Sequence, residues 1–235
     1  MDNSSLLSVI KNKDRILRVA HRGFHPENNL LGFKKAVENG CDMIECDLRL
    51  SADNHPVVIH DKTINRTTNG KGHVSKLKLC DLNFYGINSL EELIIWLQEN
   101  PSLYCAFEIK DIGSKNIILL NKTLSLIKQY SILSRSIVIS FNHKVVSKCK
   151  VLCPDVCTGL IVQQTLLQNP FNIAKNLQAD VLWVHYMFLS KCISHNATNM
   201  PIFVWTVNNN KHLQCLDSSV VGVVSDDLKT LYNQI

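Results

Sequence analysis

No stretch of the chain is long and apolar enough to cross a membrane as a helix. Runs such as Val220 to Val224 fall far short of the ~20 residues a span needs, so stable membrane insertion is not expected. Charge is sparse too, at 19% of 235 residues against 46% hydrophobic, which excludes a disordered chain or a charge-rich coiled coil. The basic residues behind the net charge of +5 form no run and are not interleaved with aromatics, so a nucleic-acid surface is unsupported. The mild positive excess suits an anionic substrate. Met1 to Ile10 has no basic segment ahead of a long apolar one, so no secretory leader is expected. Repeats, linkers and low-complexity stretches are missing as well. The expectation is a soluble, cytoplasmic globular protein, one domain over residues 1–235; the sequence says nothing of its oligomeric state.

Nine cysteines are present, an odd number. Cys46 and Cys105 lie inside apolar strand-like runs, where a thiol acts as a small core residue, and reduced cysteines in a reducing compartment are expected. Cys149, Cys153 and Cys157 recur every four residues, but Pro154 interrupts any helix that would align them and no nearby His completes a zinc spacing.

Short apolar runs alternate with segments of helical period. Strands are expected at Ile16 to Ala20, Met43 to Leu48, Tyr104 to Ile109, Ser136 to Ser140, Val156 to Val162, Val181 to His185, Ile202 to Val207 and Val220 to Ser225. Helices are expected near Leu30 to Glu38, Leu90 to Glu99, Asn116 to Tyr130, Lys144 to Val151, Leu166 to Leu177, Met187 to Ser194, Lys211 to Leu216 and Asp227 to Asn233. Ser89 and Glu92 form a capping-box pattern at one helix start. Near-continuous apolar strands indicate parallel strands covered by helices. Eight such units predict an α/β fold, a single (β/α)8 TIM-type barrel. Ser51 to Asn88, rich in Asn, Gly, Thr and Lys and carrying the extra apolar run Pro56 to His60, breaks the rhythm. It reads as an elaborated loop after the second strand, at the catalytic end of a barrel.

Residues two apart on a strand share a face, so Glu45 and Asp47 project together while Ile44, Cys46 and Leu48 face the helices. Paired acids repel unless a cation lies between them, although such a pair also reads as the solvated edge of a sheet. The same parity aligns Glu108 with Lys110, a couple that a plain salt bridge would also explain. Oxygen-only ligands suit Mg²⁺ or Ca²⁺ rather than zinc. His21 follows the first strand, beside Arg22, and His60 closes the run after Val57. Two imidazoles at strand ends, near an acidic cluster and two cationic side chains, match what acid-base cleavage of a phosphate ester needs.

An ordered series carries a resemblance: His21-Arg22-Gly23, Pro26-Glu27-Asn28, Phe33, Ala36, Gly40, Asp42, Glu45, Asp47, Asp53, Pro56-Val57, His60-Asp61 and Arg66-Thr67-Thr68. It continues thinly through Glu108-Ile109-Lys110, Ser140-Phe141, Trp205-Thr206-Val207-Asn208 and Ser225-Asp226. In these residues the chain resembles the glycerophosphodiester phosphodiesterases. The resemblance implies that His21 and His60 are the acid-base pair and that Glu45, Asp47 and Glu108 hold one divalent ion, Mg²⁺ or Ca²⁺. It further implies that Arg22 and Lys110 bind phosphate and that Trp205 lines the glycerol side, where core packing is the competing role. Asn29, Ser51 and Ser225 stand where the family usually has Thr, and Leu228 where it has Pro, which puts loop geometry rather than chemistry at issue. The implied reaction is metal-dependent hydrolysis of a small glycerophosphodiester to glycerol 3-phosphate and an alcohol. The alternatives are a lysophospholipase D or sphingomyelinase D type activity on lipid phosphodiesters, and a catalytically idle phosphate-binding barrel.

Overall fold

The computed structural model describes residues 5–12, 15–110, 113–163, 169–194, 199–213, 216 and 218–229. The parallel strands are β1 (Leu17–Ala20), β2 (Met43–Leu50), β4 (Tyr104–Ile109), β5 (Ser136–Ser140), β6 (Cys157–Val162), β7 (Val181–His185), β8 (Ile202–Trp205) and β9 (Val220–Ser225). Each pairs with the next in that order, and β9 pairs with β1, so eight parallel strands close into a barrel. The short β3 (Pro56–Val58) runs antiparallel on the extension of β2, where Leu50 meets Pro56. That pairing carries β2 two residues beyond its expected end at Leu48.

Alternation builds two apolar layers from each strand. Val19, Met43, Ala106, Ile139, Trp183 and Phe203 fill the barrel, while Ile44, Cys46, Phe107, Val138, Leu182 and Val204 pack outward. Helix residues Phe33, Leu93, Leu119 and Val145 cover the outer layer, which is why the strands read as near-continuous apolar runs. Inside, the rings of Trp183 and Phe203 stack 4.3 Å apart at 9°. Phe203 fits because its neighbour across the ladder is Gly222, where a Cβ would lie 2.3 Å from the ring.

The covering helices are α2 (Leu30–Glu38), α4 (Leu90–Gln98), α5 (Lys115–Gln129), α6 (His143–Leu152), α7 (Pro170–Asn176), α8 (Leu189–Ile193) and α9 (Asn210–Leu213). Ser89 caps α4 as its pattern predicts: Oγ accepts from Glu92 N at 3.1 Å and Ser89 N donates to Glu92 Oε2 at 2.7 Å. The helix expected from Leu166 begins at Pro170, with residues 164–168 outside the described set. The one expected over Asp227 to Asn233 also falls mainly outside it.

Two helices are absent from the sequence reading. α1 (Leu6–Asn12) presents Leu6 and Ile10 to the barrel's inner cluster beside Leu17 and Val19, packing onto the end where the strands begin. α3 (Leu79–Phe84) buries only Leu82. Two anchors one turn apart, or a single anchor, are too few to register as helical periodicity. The Ser51 to Asn88 excursion has its own small core of Val57, Ile59, Ile64, Val74, Leu82 and Ile87. It is a packed element that carries His60 to the barrel mouth.

Candidate active site

The eight residues singled out from the sequence come together at the barrel mouth, His60 from the excursion after the antiparallel β3 and the others from parallel strands or the residues that follow them, and seven of them line one cavity of about 150 Å³. Its polar side is His21, Arg22, Glu45, His60, Glu108, Lys110 and Gln163; its apolar side is Ile139, Phe141, Ile161, Trp183 and Trp205. The eighth, Asp47, is buried just behind, within the acidic cluster.

Glu45, Asp47 and Glu108 are all buried, with one ligand oxygen from each lying within 4.8 Å of the others. Local structure fixes each. Arg22 (φ 55) and Gly23 (φ 69) turn the chain sharply out of β1, so that Arg22 N donates to Glu45 Oε2 at 2.9 Å. Asn28 Nδ2 donates to Asp47 Oδ2 at 2.8 Å, and Asn28 Oδ1 accepts from Asp47 N at 3.0 Å. Lys110 Nζ stands 3.1 Å from Asp47 Oδ1 and 2.8 Å from Glu108 Oε1. Arg22 Nε lies 3.4 Å from Asp47 Oδ2 as an ion pair without the alignment of a hydrogen bond, and this buried donor has no hydrogen-bond acceptor.

Electrostatics divides the three acids. Burial, then the charges of Asp47 and Glu108, push Glu45 well above the usual carboxylate range. Burial and Asp47 raise Glu108 to about 7. Burial also opposes ionisation of Asp47, but the charges of Lys110, Arg22 and His60 outweigh it and its value is lowered. Glu108 Oε1 is buried with the Lys110 ammonium, at 2.8 Å, as its close polar neighbour. Three crowded oxygens, two of them on acids inclined to keep a proton, fit a hard divalent cation, which would neutralise what Lys110 alone does not. Among the described residues this is the one cluster of three or more His, Cys, Asp or Glu side chains with metal-ligand spacing. Cys149, Cys153 and Cys157 are buried and free.

Each histidine is held by a carboxylate. His21 Nδ1 lies 2.6 Å from Asp226 Oδ1, and His60 Nδ1 lies 2.7 Å from Asp61 Oδ1. An ionised carboxylate only accepts, so Nδ1 carries the hydrogen in both rings and Nε2 remains the nitrogen that can exchange a proton. Asn208 Nδ2 donates to the other oxygen of Asp226 at 2.6 Å. Partial burial lowers the His60 value, against the opposing pull of Asp47 and Asp61. Trp205 Nε1 donates to Trp183 O at 3.1 Å, and its ring meets Phe141 edge-on at 5.9 Å. Packing and cavity lining are thus combined in one residue.

Asn28, Asp61, Asp226, Asn208 and Phe141 carry no role in the sequence reading. All stand in the matched series, but their function depends on which side chain each one meets. The departures at Asn29 and Ser225 keep their bonds. Asn29 caps α2, accepting from Leu31 N at 2.9 Å, and Ser225 Oγ donates to Asn208 Oδ1 at 3.1 Å.

A closed barrel with acids, imidazoles and cations converging at its C-terminal mouth is the architecture of a (β/α)8 enzyme. Residues 20–230 match the model of the glycerophosphoryl diester phosphodiesterase family, and the chain belongs to that family. It is 32% identical to a glycerophosphodiester phosphodiesterase of Caldanaerobacter subterraneus, over 94% of this chain and 98% of the relative. Human glycerophosphodiester phosphodiesterase 1 is 31% identical over 78% of this chain and 59% of its own length. Among solved structures, an Oleispira antarctica phosphodiesterase in complex with the product sn-glycerol-3-phosphate superposes with a TM-score of 0.78 at 23% identity, covering 89% of this chain and 92% of that one. A Galdieria sulphuraria structure described as a glycerophosphodiester phosphodiesterase gives 0.80 at 24% identity, covering 93% and 97%. The chain is accordingly an enzyme, a phosphodiesterase acting on glycerophosphodiesters.

Proposed function

We propose that the chain, acting as one barrel domain, hydrolyses small glycerophosphodiesters to glycerol 3-phosphate and an alcohol by paired-imidazole catalysis. Glu45, Asp47 and Glu108 would hold one Mg²⁺ or Ca²⁺. The observation that carries this reading is the pair of histidines, each with Nδ1 committed to a carboxylate, lining the same cavity as the acidic cluster and two cationic side chains. When bound, the cation supplies positive charge against the phosphate oxygens. Arg22 and Lys110 hold those oxygens, and the unused Arg22 Nε is a donor awaiting an acceptor. The apolar wall of Phe141 and Trp205 receives the glycerol carbons.

Nε2 of one histidine accepts the proton of the glycerol 2-hydroxyl as that oxygen attacks phosphorus. The second histidine, protonated, gives its Nε2 proton to the departing alkoxide, and a 1,2-cyclic phosphate results. Intramolecular attack is favoured because the reacting atoms are already held together. Water then opens the ring with the histidine roles exchanged, restoring both protons.

His21→Ala and His60→Ala test the reading. Each is expected to lose about 10²–10⁴-fold in turnover while keeping the rise in melting temperature that Mg²⁺ or Ca²⁺ produces. Wild-type turnover in either variant would end the assignment.

A further inference from the structure

Arg66 lies outside the cavity lining, and its side chain is half exposed. Its three donor nitrogens are nevertheless all committed. Nε donates to Asp61 Oδ2 at 2.6 Å, while Nη1 and Nη2 donate as a fork to Glu27 Oε2 and Oε1 at 2.8 and 2.6 Å. The other oxygen of Asp61 receives His60 Nδ1 at 2.7 Å. Glu27 Oε1 also lies 3.4 Å from Arg22 Nη1. A continuous chain of charge-assisted bonds therefore runs from the loop after β1, through Glu27, Arg66 and Asp61, to His60.

The backbone under Arg66 is built to hold it still. Ile64 is fully buried in the excursion's own core. Around it, Ile64 N donates to Gly72 O at 3.0 Å, Thr68 N to Ile64 O at 3.1 Å and Thr68 Oγ1 to the same carbonyl at 2.8 Å. Gly72 N donates to Asn65 Oδ1 at 2.9 Å. Arg66 thus projects from a closed turn between two anchored residues.

We propose that Arg66 is a positioning residue for the reaction: its guanidinium, braced on Glu27, fixes Asp61 and through it the orientation of the His60 ring. The inference rests on the catalytic reading of His60. Asp61 is a one-atom hinge on its own, free to rotate about its side-chain bonds. With one oxygen bonded to Arg66 and the other to His60, rotation breaks a short bond at either end. Lysine does not replace this, because a point charge cannot span two carboxylates as a planar fork does. Exposed ion pairs contribute little to stability, so what the network supplies is alignment. A ring displaced by about 1 Å from its productive position costs on the order of 10²-fold in rate.

Arg66→Ala and Arg66→Lys, with His60→Ala and the Arg66→Ala/His60→Ala double variant, test this by steady-state kinetics and melting temperature. For Arg66→Ala, kcat is expected to fall on the order of 10²-fold, with a much smaller change in KM because the Arg22 contact to Glu27 is long. The melting temperature should stay near wild type. Guanidinium chloride at sub-denaturing concentration should restore part of the lost kcat, and Arg66→Lys should recover only a fraction. Because Arg66 acts through His60, the double variant should be no slower than His60→Ala. Unchanged kcat in Arg66→Ala beside a crippled His60→Ala overturns the positioning role and leaves the catalytic reading standing. An equal further loss on the His60→Ala background overturns it as well. An active His60→Ala removes the reading on which the proposal rests.

Discussion

Replacing Glu108 by Gln isolates the cost of crowding three acids without a cation. Burial and the Asp47 charge raise Glu108 from 4.5 to about 7 in the folded protein. The folded value lies above the unfolded one, so the folded state holds the proton more tightly. The stability this confers is whole below about pH 4.5 and is lost as pH rises to about 7. The gap corresponds to roughly 3 kcal/mol, or roughly 6–12 °C of melting temperature for a chain of this size. Glu108→Gln keeps the shape and cannot ionise. By calorimetry or fluorescence in chelator, wild type and variant are expected to melt alike near pH 4.5, with the variant melting several degrees higher at pH 8. Mg²⁺ or Ca²⁺ should reverse the order at pH 8, because a ligand that binds only the folded state adds about 4.1 kcal/mol at a thousandfold excess over Kd, more than the deficit. Binding should also release protons, as ligands that keep them must give them up. A variant that is less stable than wild type at both pH values in chelator would refute the reasoning, and so would a cation effect independent of pH.

Other consequences are equally direct. Asp226→Asn removes the acceptor that fixes the His21 tautomer; kcat measured at saturating substrate should fall about 10²-fold or more, with KM little changed. Lys110→Ala should raise KM and lower kcat, and calorimetric titration should show no loss of metal affinity, since Asp47 and Glu108 then depend more on the cation. Gly222→Ala forces a Cβ into the Phe203 ring and should cost about 1–3 kcal/mol in denaturant melts, the usual result of overpacking. A substrate lacking the glycerol 2-hydroxyl should be cleaved far more slowly; cleavage at the normal rate would point to direct attack by water and leave the residue assignments in place.

Much of this architecture is legible in the amino-acid order because the barrel needs it there. β4, β5, β7 and β9 run over the residues their apolar patterns mark, since a strand covered on both faces reads as a near-continuous apolar run. The parity of Glu45 with Asp47 and of Glu108 with Lys110 follows from the same alternation, and the structure places all four together. The supporting partners lie beyond that logic. Asn28 meets Asp47 only because the chain turns at Arg22 and Gly23. Asp226 reaches His21 from 205 positions away because β9 closes onto β1. α1 and α3 escaped because short helices on one or two anchors draw their stability from tertiary packing rather than from periodicity.

Metal-dependent cleavage should leave the phosphate on glycerol, and ³¹P NMR of the products from glycerophosphocholine distinguishes which ester bond breaks. The purified chain, dialysed against chelator and then supplied with Mg²⁺ or Ca²⁺, is expected to give glycerol 3-phosphate only after the cation is added, and Glu45→Ala or Asp47→Ala should abolish it at the same cation concentration. Phosphocholine as the product, or full turnover in excess chelator, would contradict the account.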